Sequence, residues 1–277
     1  MNTSAVLITC HNRKDTTLSC LARLFSIRKD IDVYCVDDNS TDGTADAIRE
    51  EFPHVNLIHG DGNLFWCRGM RKAWIEASRN KDYDFYFWLN DDLLLYDDCF
   101  EEMLKCSELM NHKAIIAGLV QETTTKRVIY GGFDKSKLLI AANGELNEVY
   151  NLNGNFVLVP KSVFERIGVF DPVYHHDLGD VAYGCEAHRQ GLHVCTSRKY
   201  IGCTDAALQS KNVRIRLYGV SILKRFKKLY SPLGSNPFIT FHFLSRYEGM
   251  FKAVSFFVYV HAINILPDCI WSRIARQ

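Results

Sequence analysis

The sequence predicts an α/β fold, with a mostly parallel sheet flanked by helices and a helical C-terminal extension. Apolar runs with strand composition alternate with segments of helical periodicity in the first half of the chain, and this order favours parallel strands joined by right-handed crossovers. Several runs end abruptly in polar residues, and open α/β sheets bind ligands at the carboxyl ends of their strands. At 277 residues, the chain can bury the core of one large domain with an extension.

The first half of the chain alternates predicted strands with predicted helices. Residues 5–9 (AVLIT) form an apolar run typical of a buried parallel strand. Asp15 and Thr16 can cap a helix in which Leu21 and Leu24 share one face. The full predicted order is strand 5–9, a helix through 18–25, strand 31–36, helix 45–52, strand 55–59, helix 68–79 and an aromatic strand over 83–89.

The second half continues with a strand and two helices. Residues 155–160 (NFVLVP) predict the strand. Ser162 is expected to cap a short helix over 163–167, which Gly168 ends. A further helix opens within 175–180 (HHDLGD).

Polar residues at three strand ends are expected to meet at one edge of the sheet. They lie in residues 9–13, 37–40 (DDNS) and 90–92 (NDD). A nucleotide pocket needs such convergence, with a carboxylate to bind a base or ribose and a divalent cation for a diphosphate. Asp91 and Asp92 would repel each other without a positive charge nearby, and a hard cation is the usual solution. The alternative is a strand followed by a polar turn.

Composition and motifs exclude several classes of protein. Neither GxGxxG after the first strand nor GxxxxGK[ST] anywhere is present, which disfavours a dinucleotide dehydrogenase or a P-loop kinase. The net charge of +1 gives no overall bias toward nucleic acid. Ten cysteines without a CxxC pair or a signal peptide indicate reduced thiols in the cytoplasm and no zinc site. The apolar stretch 253–266 is too short to cross a bilayer.

Several motifs in the same order and spacing resemble those of the family 2 glycosyltransferases, whose fold is called GT-A, in a rhamnosyltransferase-like branch. The resemblance covers roughly residues 5–205 and places the GT-A domain in 1–210. It implies inverting transfer from a nucleotide-diphosphate sugar to a saccharide or lipid-linked glycan in cell-surface polysaccharide biosynthesis. The motifs are LITCHNR, VDDNSTDGT, GNLFWCRGM, WLNDD, NGNFVLVPKSVFERIGVFDP and HHDLGDVAYG.

The resemblance also implies roles for individual residues. Asp180 aligns with the catalytic base, and Asp177 is the second candidate. Asp92, with Asp91 beside it, would bind Mg²⁺ or Mn²⁺, whereas Asn90 replaces the family's usual first aspartate. The residues expected at the nucleotide are Thr9, Arg13, Asp37, Asp38, Asn63 and Arg68. Those expected on the donor-sugar or acceptor side are Trp66, Asn90, Asn155, His175 and His176.

Two departures from the family pattern leave alternatives open. Ala182 replaces a common acidic residue, and Glu186 stands where an arginine is usual. They favour, as one alternative, a weak or noncatalytic homologue that binds glycan or nucleotide. A nucleotidyltransferase is the other alternative, but it needs cations for a triphosphate after the first strand, where only Arg13 and Lys14 occur.

Residues 211–277 are predicted to form the helical extension. Residues 214–230 combine apolar and basic side chains in an amphipathic pattern, which is compatible with an anionic membrane surface or with a packed helix whose basic face is solvated. The break at 231–237 precedes a helical region, 238–266, rich in aromatic residues. That surplus fits a membrane-seated acceptor or a homodimer interface. We therefore expect a cytoplasmic protein at the inner face of the membrane.

Overall fold

The chain forms two compact units. The structure, a computed structural model, describes residues 2–205 and 214–274. The first unit comprises Met1–His175 and Gly179–Ala206, and the second comprises His176–Leu178 and Ala207–Gln277. The domain boundary expected between residues 210 and 211 lies outside the described residues.

The first unit contains the predicted strands and helices in the predicted order, together with elements that the sequence analysis did not predict: a helix over 99–109, long strands over 114–122 and 193–204, and several short strands. Its elements are β1 (Ser4–Cys10), α1 (Lys14–Ile27), β2 (Asp32–Asp37), α2 (Thr44–Glu51), β3 (Asn56–His59), α3 (Phe65–Asn80), β4 (Phe85–Leu89), β5 (Leu94–Leu95), α4 (Cys99–Leu109), β6 (Ala114–Glu122), β7 (Val128–Tyr130), β8 (Gly132–Phe133), β9 (Asn151–Leu152), β10 (Phe156–Pro160), α5 (Lys161–Ile167), α6 (Gly179–Arg189) and β11 (His193–Thr204).

A central sheet organises the first unit, and the predicted α/β fold class is confirmed. Within the described residues its strand order is β3-β2-β1-β4-β10-β6-β11-β5, with β7 paired to β6. The first four strands in that order are parallel, as their alternation with helices predicts. β10 runs antiparallel to both β4 and β6, so it brings the second half of the chain against the first.

The core beneath the sheet is aromatic. Trp74 of α3 packs against Trp88 of β4 with ring centroids 5.5 Å apart, and both are fully buried. β4 is buried along its whole length, as a strand covered on both faces must be. This packing fixes where β4 ends and therefore where residues 90–92 begin.

Two predicted helix caps are wrong. α1 begins at Lys14, one residue before Asp15, and the backbone N–H of Lys14 donates to Asp42 at 3.0 Å. α5 follows Pro160 directly, and the Ser162 hydroxyl donates to the carbonyl oxygen of His112 instead of capping the helix. In α1 a distant loop accepts the bond that sequence reasoning assigned to a local side chain, and in α5 the serine hydroxyl bonds to a distant carbonyl oxygen instead of its own helix.

The second unit is helical. The expected helix over 214–230 is shorter, because Gly219 adopts φ +67° and Ser221 caps a helix that starts after it. The expected region 238–266 is divided at Gly249, which adopts φ +103°. The helices are α7 (Ile222–Leu229), α8 (Pro237–Tyr247), α9 (Met250–Ile265) and α10 (Asp268–Ile274).

Buried ionic bonds hold the second unit together. Arg225 lies 2.8 Å from Asp268, and Arg216 pairs with the same carboxylate at 2.5 Å. Both arginine side chains are at least 95% buried, so these charges are compensated inside the unit. In the described part of the chain, no helix is long and apolar enough to cross a membrane.

Replacing Arg198 with methionine is expected to lower the free energy of unfolding by about 3 kcal/mol, because it leaves a buried charge unpaired. Arg198 donates to Glu102 at 2.7 Å through Nη2 and at 3.0 Å through Nε, and the Glu102 side chain is only 2% exposed. Urea unfolding would measure the loss. The matched change Arg189→Met breaks an exposed pair with Glu186 and should cost less than about 1 kcal/mol. Equal losses for the two variants would contradict the assignment.

Candidate functional site

Three parallel strands present their carboxyl ends side by side. β1 pairs with β2 so that Cys10 lies opposite Asp37, and β1 pairs with β4 so that Leu7 lies opposite Trp88. The loops that follow these strands therefore meet at one edge of the sheet, which is where ligands bind in open α/β folds.

Asp37 and Asp38, at the end of β2, are buried and bonded to neighbouring loops. Asp38 accepts three backbone hydrogen bonds at 2.8–3.0 Å, from Gly62 and from the N-cap and first residue of α3. Asp37 accepts from the backbone N–H and the hydroxyl of Ser40. Asp38 thus satisfies N–H groups that the start of a helix leaves unpaired. A contact of either carboxylate with a nucleotide stays a prediction.

Asn12 joins the loop after β1 to the loop after β2, a role that sequence reasoning missed. Its backbone N–H donates to the Ser40 hydroxyl at 2.8 Å, and its Oδ1 accepts from the backbone N–H of Thr41 at 2.7 Å. Asn12 adopts φ +51°, a left-handed conformation that asparagine tolerates better than most residues. An asparagine at the end of a strand was the available signal for this turn.

Arg13 supplies positive charge to the adjacent carboxylates. Its guanidinium lies 2.9 Å from Asp91 and 3.1 Å from Asp92. Asp91 also accepts from the Thr17 hydroxyl at 2.9 Å and is buried. Burial raises the pKa of Asp91, although the bonds from Arg13 and Thr17 oppose that rise. Asp92 instead keeps 29% of its side chain exposed, so the two carboxylates have different environments.

Asp92 is the carboxylate better suited to a metal. Among residues 2–205 and 214–274, no group of three or more histidine, cysteine, aspartate or glutamate side chains could hold an ion. Mg²⁺ in such sites is commonly bound by one or two carboxylates together with substrate phosphates. The residues present fit that arrangement, with partly exposed Asp92 as the ligand and buried Asp91 next to it in sequence.

A cleft of about 480 Å³ opens beside these carboxylates within the first unit. Arg13, Asp91 and Asp92 line one side of it, and Thr16 and Cys20 of α1 line another. Its volume falls within the range of small-molecule sites, so the carboxylates border a space that can admit a ligand.

The side-chain amide of Asn90 both accepts and donates a hydrogen bond. The Trp66 indole N–H donates to Asn90 Oδ1 at 2.7 Å, and Asn90 Nδ2 donates to Asn155 Oδ1 at 2.7 Å. An amide both accepts and donates, whereas a carboxylate only accepts. An aspartate at position 90 would lose the hydrogen bond to Asn155, unless the side-chain amide of Asn155 rotated by about 180° to present its NH₂ group. Trp66, Asn90 and Asn155, all expected on the donor-sugar or acceptor side, thus form one chain of hydrogen bonds.

Asp180 lies in the first turn of α6, next to Gly154 and Trp66. Its Oδ2 accepts from the backbone N–H of Gly154 at 2.8 Å, and its Oδ1 accepts from that of Val181 at 2.8 Å. A Cβ on Gly154 would lie 2.5 Å from the Trp66 ring and 3.1 Å from the Asp180 Cβ. Glycine is therefore required between the indole and the carboxylate. Trp66 and Asp180 therefore meet at this one position, and the hydrogen bonds of Trp66 and Asn155 connect it to Asn90.

His175 anchors the segment before α6 to the start of α3. Its carbonyl oxygen accepts from the backbone N–H groups of Cys67 at 2.9 Å and Arg68 at 3.3 Å. Burial lowers the pKa of the His175 imidazole, and the Arg68 charge adds to that effect. The Arg68 guanidinium donates to the carbonyl oxygen of Pro172 at 3.1 Å. Arg68 thus helps to position this segment, and its contact with a phosphate stays a prediction.

Thr9 and Asn63, both expected at the nucleotide, have different environments. Thr9 is half-buried near the end of β1, where any Cβ on Gly69 of α3 would collide with its hydroxyl. Asn63 is exposed, and its backbone N–H donates to Asp61 at 2.9 Å. The Asn63 side chain is therefore accessible to a ligand.

His176 and Asp177 belong to the second unit. Burial lowers the pKa of His176, with Asp177 acting in the opposite direction. Asp177 forms an ion pair with Arg214. This ion pair engages Asp177 Oδ2 within the second unit, whereas the bonds that orient Asp180 come from the backbone N–H groups of Gly154 and Val181.

The two departures in α6 have structural explanations. Ala182 is only 4% exposed, so an acidic side chain there would need a buried partner. Glu186 lies 3.2 Å from Arg189 and accepts from Gln190 at 3.2 Å. Both residues suit their positions in the helix, and neither removes the bonds that hold Asp180.

Comparisons with known proteins identify the family of the chain and structures of similar fold. The family model described as glycosyl transferase family 2 matches residues 5–167. A search of curated proteins finds no significant match.

Similar solved structures are glycosyltransferases at 15% identity. GalNAc-T7, solved with UDP, GalNAc and Mn²⁺, has a TM-score of 0.59 over 80% of this chain and 46% of that one. The Pyrobaculum calidifontis mannosyltransferase PcManGT, with GDP-Man and Mn²⁺, scores 0.57 over 99% and 79%. S. aureus TarS 1-349, with UDP-GlcNAc, scores 0.54 over 88% and 72%. This chain spans less than half of GalNAc-T7, and these similarities establish the fold alone.

Proposed function

The chain belongs to glycosyl transferase family 2 and has the GT-A fold, and from this we propose that it transfers a sugar, with inversion, from a nucleoside diphosphate donor to a saccharide or lipid-linked glycan. Cell-surface polysaccharide biosynthesis is the proposed setting, and the rhamnosyltransferase-like branch stays a prediction. The observation that carries the proposal is the contact of Asp180 and Trp66 at Gly154, with the Trp66 indole bonded to Asn90 next to the carboxylates at the end of β4.

Asp180 is the proposed base. Two backbone N–H groups fix the orientation of its carboxylate, and a carboxylate has further acceptor positions beyond these two. In the reaction, the acceptor hydroxyl gives its proton to Asp180 while its oxygen attacks the anomeric carbon. The bond from that carbon to the diphosphate breaks on the opposite face.

The strand-end residues are proposed to hold the donor. Thr9, Arg13, Asp37, Asp38, Asn63 and Arg68 are the proposed nucleotide residues. Asp92 would hold Mg²⁺ or Mn²⁺, and the bound cation would supply positive charge for the leaving diphosphate. Support comes from the exposure of Asp92 and from two structurally similar glycosyltransferases that contain Mn²⁺ together with a nucleotide or nucleotide sugar. The Arg13 guanidinium pairs with Asp91 and Asp92. It is proposed to bind a donor phosphate when these ion pairs open.

A cytoplasmic location is also part of the proposal. All ten cysteines are free thiols, which suits a reducing compartment. Burial raises the pKa of Cys99 to about 12, so this thiol stays protonated and unreactive in its buried position.

A screen of nucleotide sugars would test the proposed function. The full chain, supplied with Mn²⁺ and each donor in turn, is expected to release a nucleoside diphosphate from one or a few donors. Release of pyrophosphate from a sugar phosphate and a nucleoside triphosphate would instead indicate a nucleotidyltransferase. Failure to bind or cleave any donor would favour a noncatalytic homologue and contradict the proposal.

Replacing Gly154 with alanine is expected to lower kcat by about 100-fold, because displacement of catalytic groups by about 1 Å has this cost. The new methyl group would be 2.5 Å from Trp66 and must displace either the indole or Asp180. Steady-state kinetics and near-ultraviolet circular dichroism would measure activity and folding. Gly184→Ala is the matched control, since its methyl group would approach no atom closer than Leu152 Cδ2 at 3.3 Å and Asn151 Oδ1 at 3.4 Å. Equal activity in the two variants would contradict this geometry.

A further inference from the structure

Charge is divided unequally along the chain. Residues 207–277 contain 11 lysine and arginine residues but two aspartate and glutamate residues, a net charge of +9. Residues 1–206 contain 22 basic and 30 acidic residues, a net charge of −8. The overall charge of +1 is thus the sum of an acidic N-terminal part and a strongly basic C-terminal segment. Such an asymmetry indicates an acidic partner for the C-terminal segment.

α9 carries an exposed apolar face. Phe251, Val254, Val258 and Ile265 are all exposed, with Phe251 at 84%, and their spacing puts them along one side of the helix. Lys252 is the only charged residue between the ends of α9. The opposite side, which includes Ala253 and Val260, is buried within the unit. α9 thus has one side packed and one apolar side open.

α7 combines exposed apolar and basic side chains. Leu223 is 82% exposed, and Lys224 and Lys227 are exposed beside it. The other side of α7 is packed, because Arg225 is buried and the Phe226 ring lies 5.9 Å from that of His261 in α9. The exposed leucine and lysines are therefore not needed to hold the unit together.

We propose that the second unit binds the surface of an anionic lipid bilayer, with the apolar face of α9 and Leu223 in the interfacial region and the lysines of α7 at the headgroups. Apolar side chains flanked by lysines suit the boundary between headgroups and acyl chains. The same face of a second copy is a poorer occupant, because two C-terminal segments that each carry +9 over residues 207–277 would repel each other. This proposal does not depend on the sugar-transfer reaction.

Co-sedimentation of the full chain with vesicles tests the proposal. The protein is expected to sediment with vesicles of phosphatidylcholine and phosphatidylglycerol, but to remain in the supernatant with vesicles of phosphatidylcholine alone. Added salt should reduce binding, because it screens the attraction between lysine and lipid headgroups. Failure to bind the anionic vesicles, or equal binding to both kinds, would overturn the proposal.

Paired variants locate the binding surface. Phe251→Ser is expected to weaken vesicle binding by at least about tenfold, and Lys224→Gln or Lys227→Gln by about fivefold each. Leu138→Ser and Lys113→Gln change residues of the same kinds that are exposed in the first unit and should leave binding unchanged. Equal effects of the test and control variants would overturn the proposed surface. A dimer in solution that Phe251→Ser converts to a monomer, without vesicle binding, would instead assign this face to a second copy.

Discussion

Asp180→Asn is expected to lower kcat by about 10²–10⁴-fold, the usual contribution of a general base. Asparagine has nearly the same shape and can still accept from Gly154 through its oxygen, although its amide nitrogen cannot accept the bond from Val181. It cannot take the proton of an acceptor hydroxyl. Affinity for the nucleoside diphosphate should therefore change little, and calorimetry with steady-state kinetics would measure both quantities.

Asp177→Asn is the control for Asp180→Asn. Asp177 lies three positions earlier and pairs with Arg214, so its loss should affect local stability more than the chemical step. If Asp177→Asn abolishes transfer and Asp180→Asn does not, the base is Asp177 and the assignment from the geometry of Gly154 is wrong.

Asp92→Asn is expected to weaken Mn²⁺-dependent donor binding by at least about tenfold. Loss of even an outer partner of a metal ligand commonly costs about 10–100-fold in affinity. Asp92 is the exposed carboxylate of the pair, with Arg13 3.1 Å away. Titration of a nucleoside diphosphate with and without Mn²⁺ would measure the change, and the metal-free affinity should be nearly unaffected.

Asp91→Asn should behave differently from Asp92→Asn. Asp91 is buried against Arg13 and Thr17, so its replacement should mainly lower the free energy of unfolding. Asp97→Asn removes an exposed carboxylate that pairs with Arg23 and serves as a neutral control for both. If Asp91→Asn removes the effect of Mn²⁺ while Asp92→Asn retains it, the assigned roles must be exchanged.

The sheet was predictable because its strands carry a strong local signal. The apolar runs at 5–9 and 83–89 are buried strands with only small differences in their bounds, and their polar ends meet as parallel strands require. Helix caps were less predictable. Ser162 bonds to His112 instead of its own helix, because a partner distant in sequence replaced the local one.

The different roles of Asp91 and Asp92 were predictable in part. Sequence reasoning favoured Asp92 as the ligand by resemblance to the family motif, but it could not place Thr17, which is 74 positions from Asp91 and donates a hydrogen bond to it. Likewise, Asn90 was identified as a departure from an acid. Its two amide bonds depend on Trp66 and Asn155, whose proximity is a property of the fold and not of local sequence.

The central claim is that the edge of the sheet at Arg13, Asp91 and Asp92 is a donor site. Calorimetric titration of the full chain with nucleoside diphosphates, in the presence and absence of Mn²⁺, tests it most directly. We expect saturable binding of at least one nucleoside diphosphate that strengthens with Mn²⁺ and loses this dependence in Asp92→Asn. Absence of binding for every nucleotide, or binding that Mn²⁺ and Asp92→Asn both leave unchanged, would contradict the account.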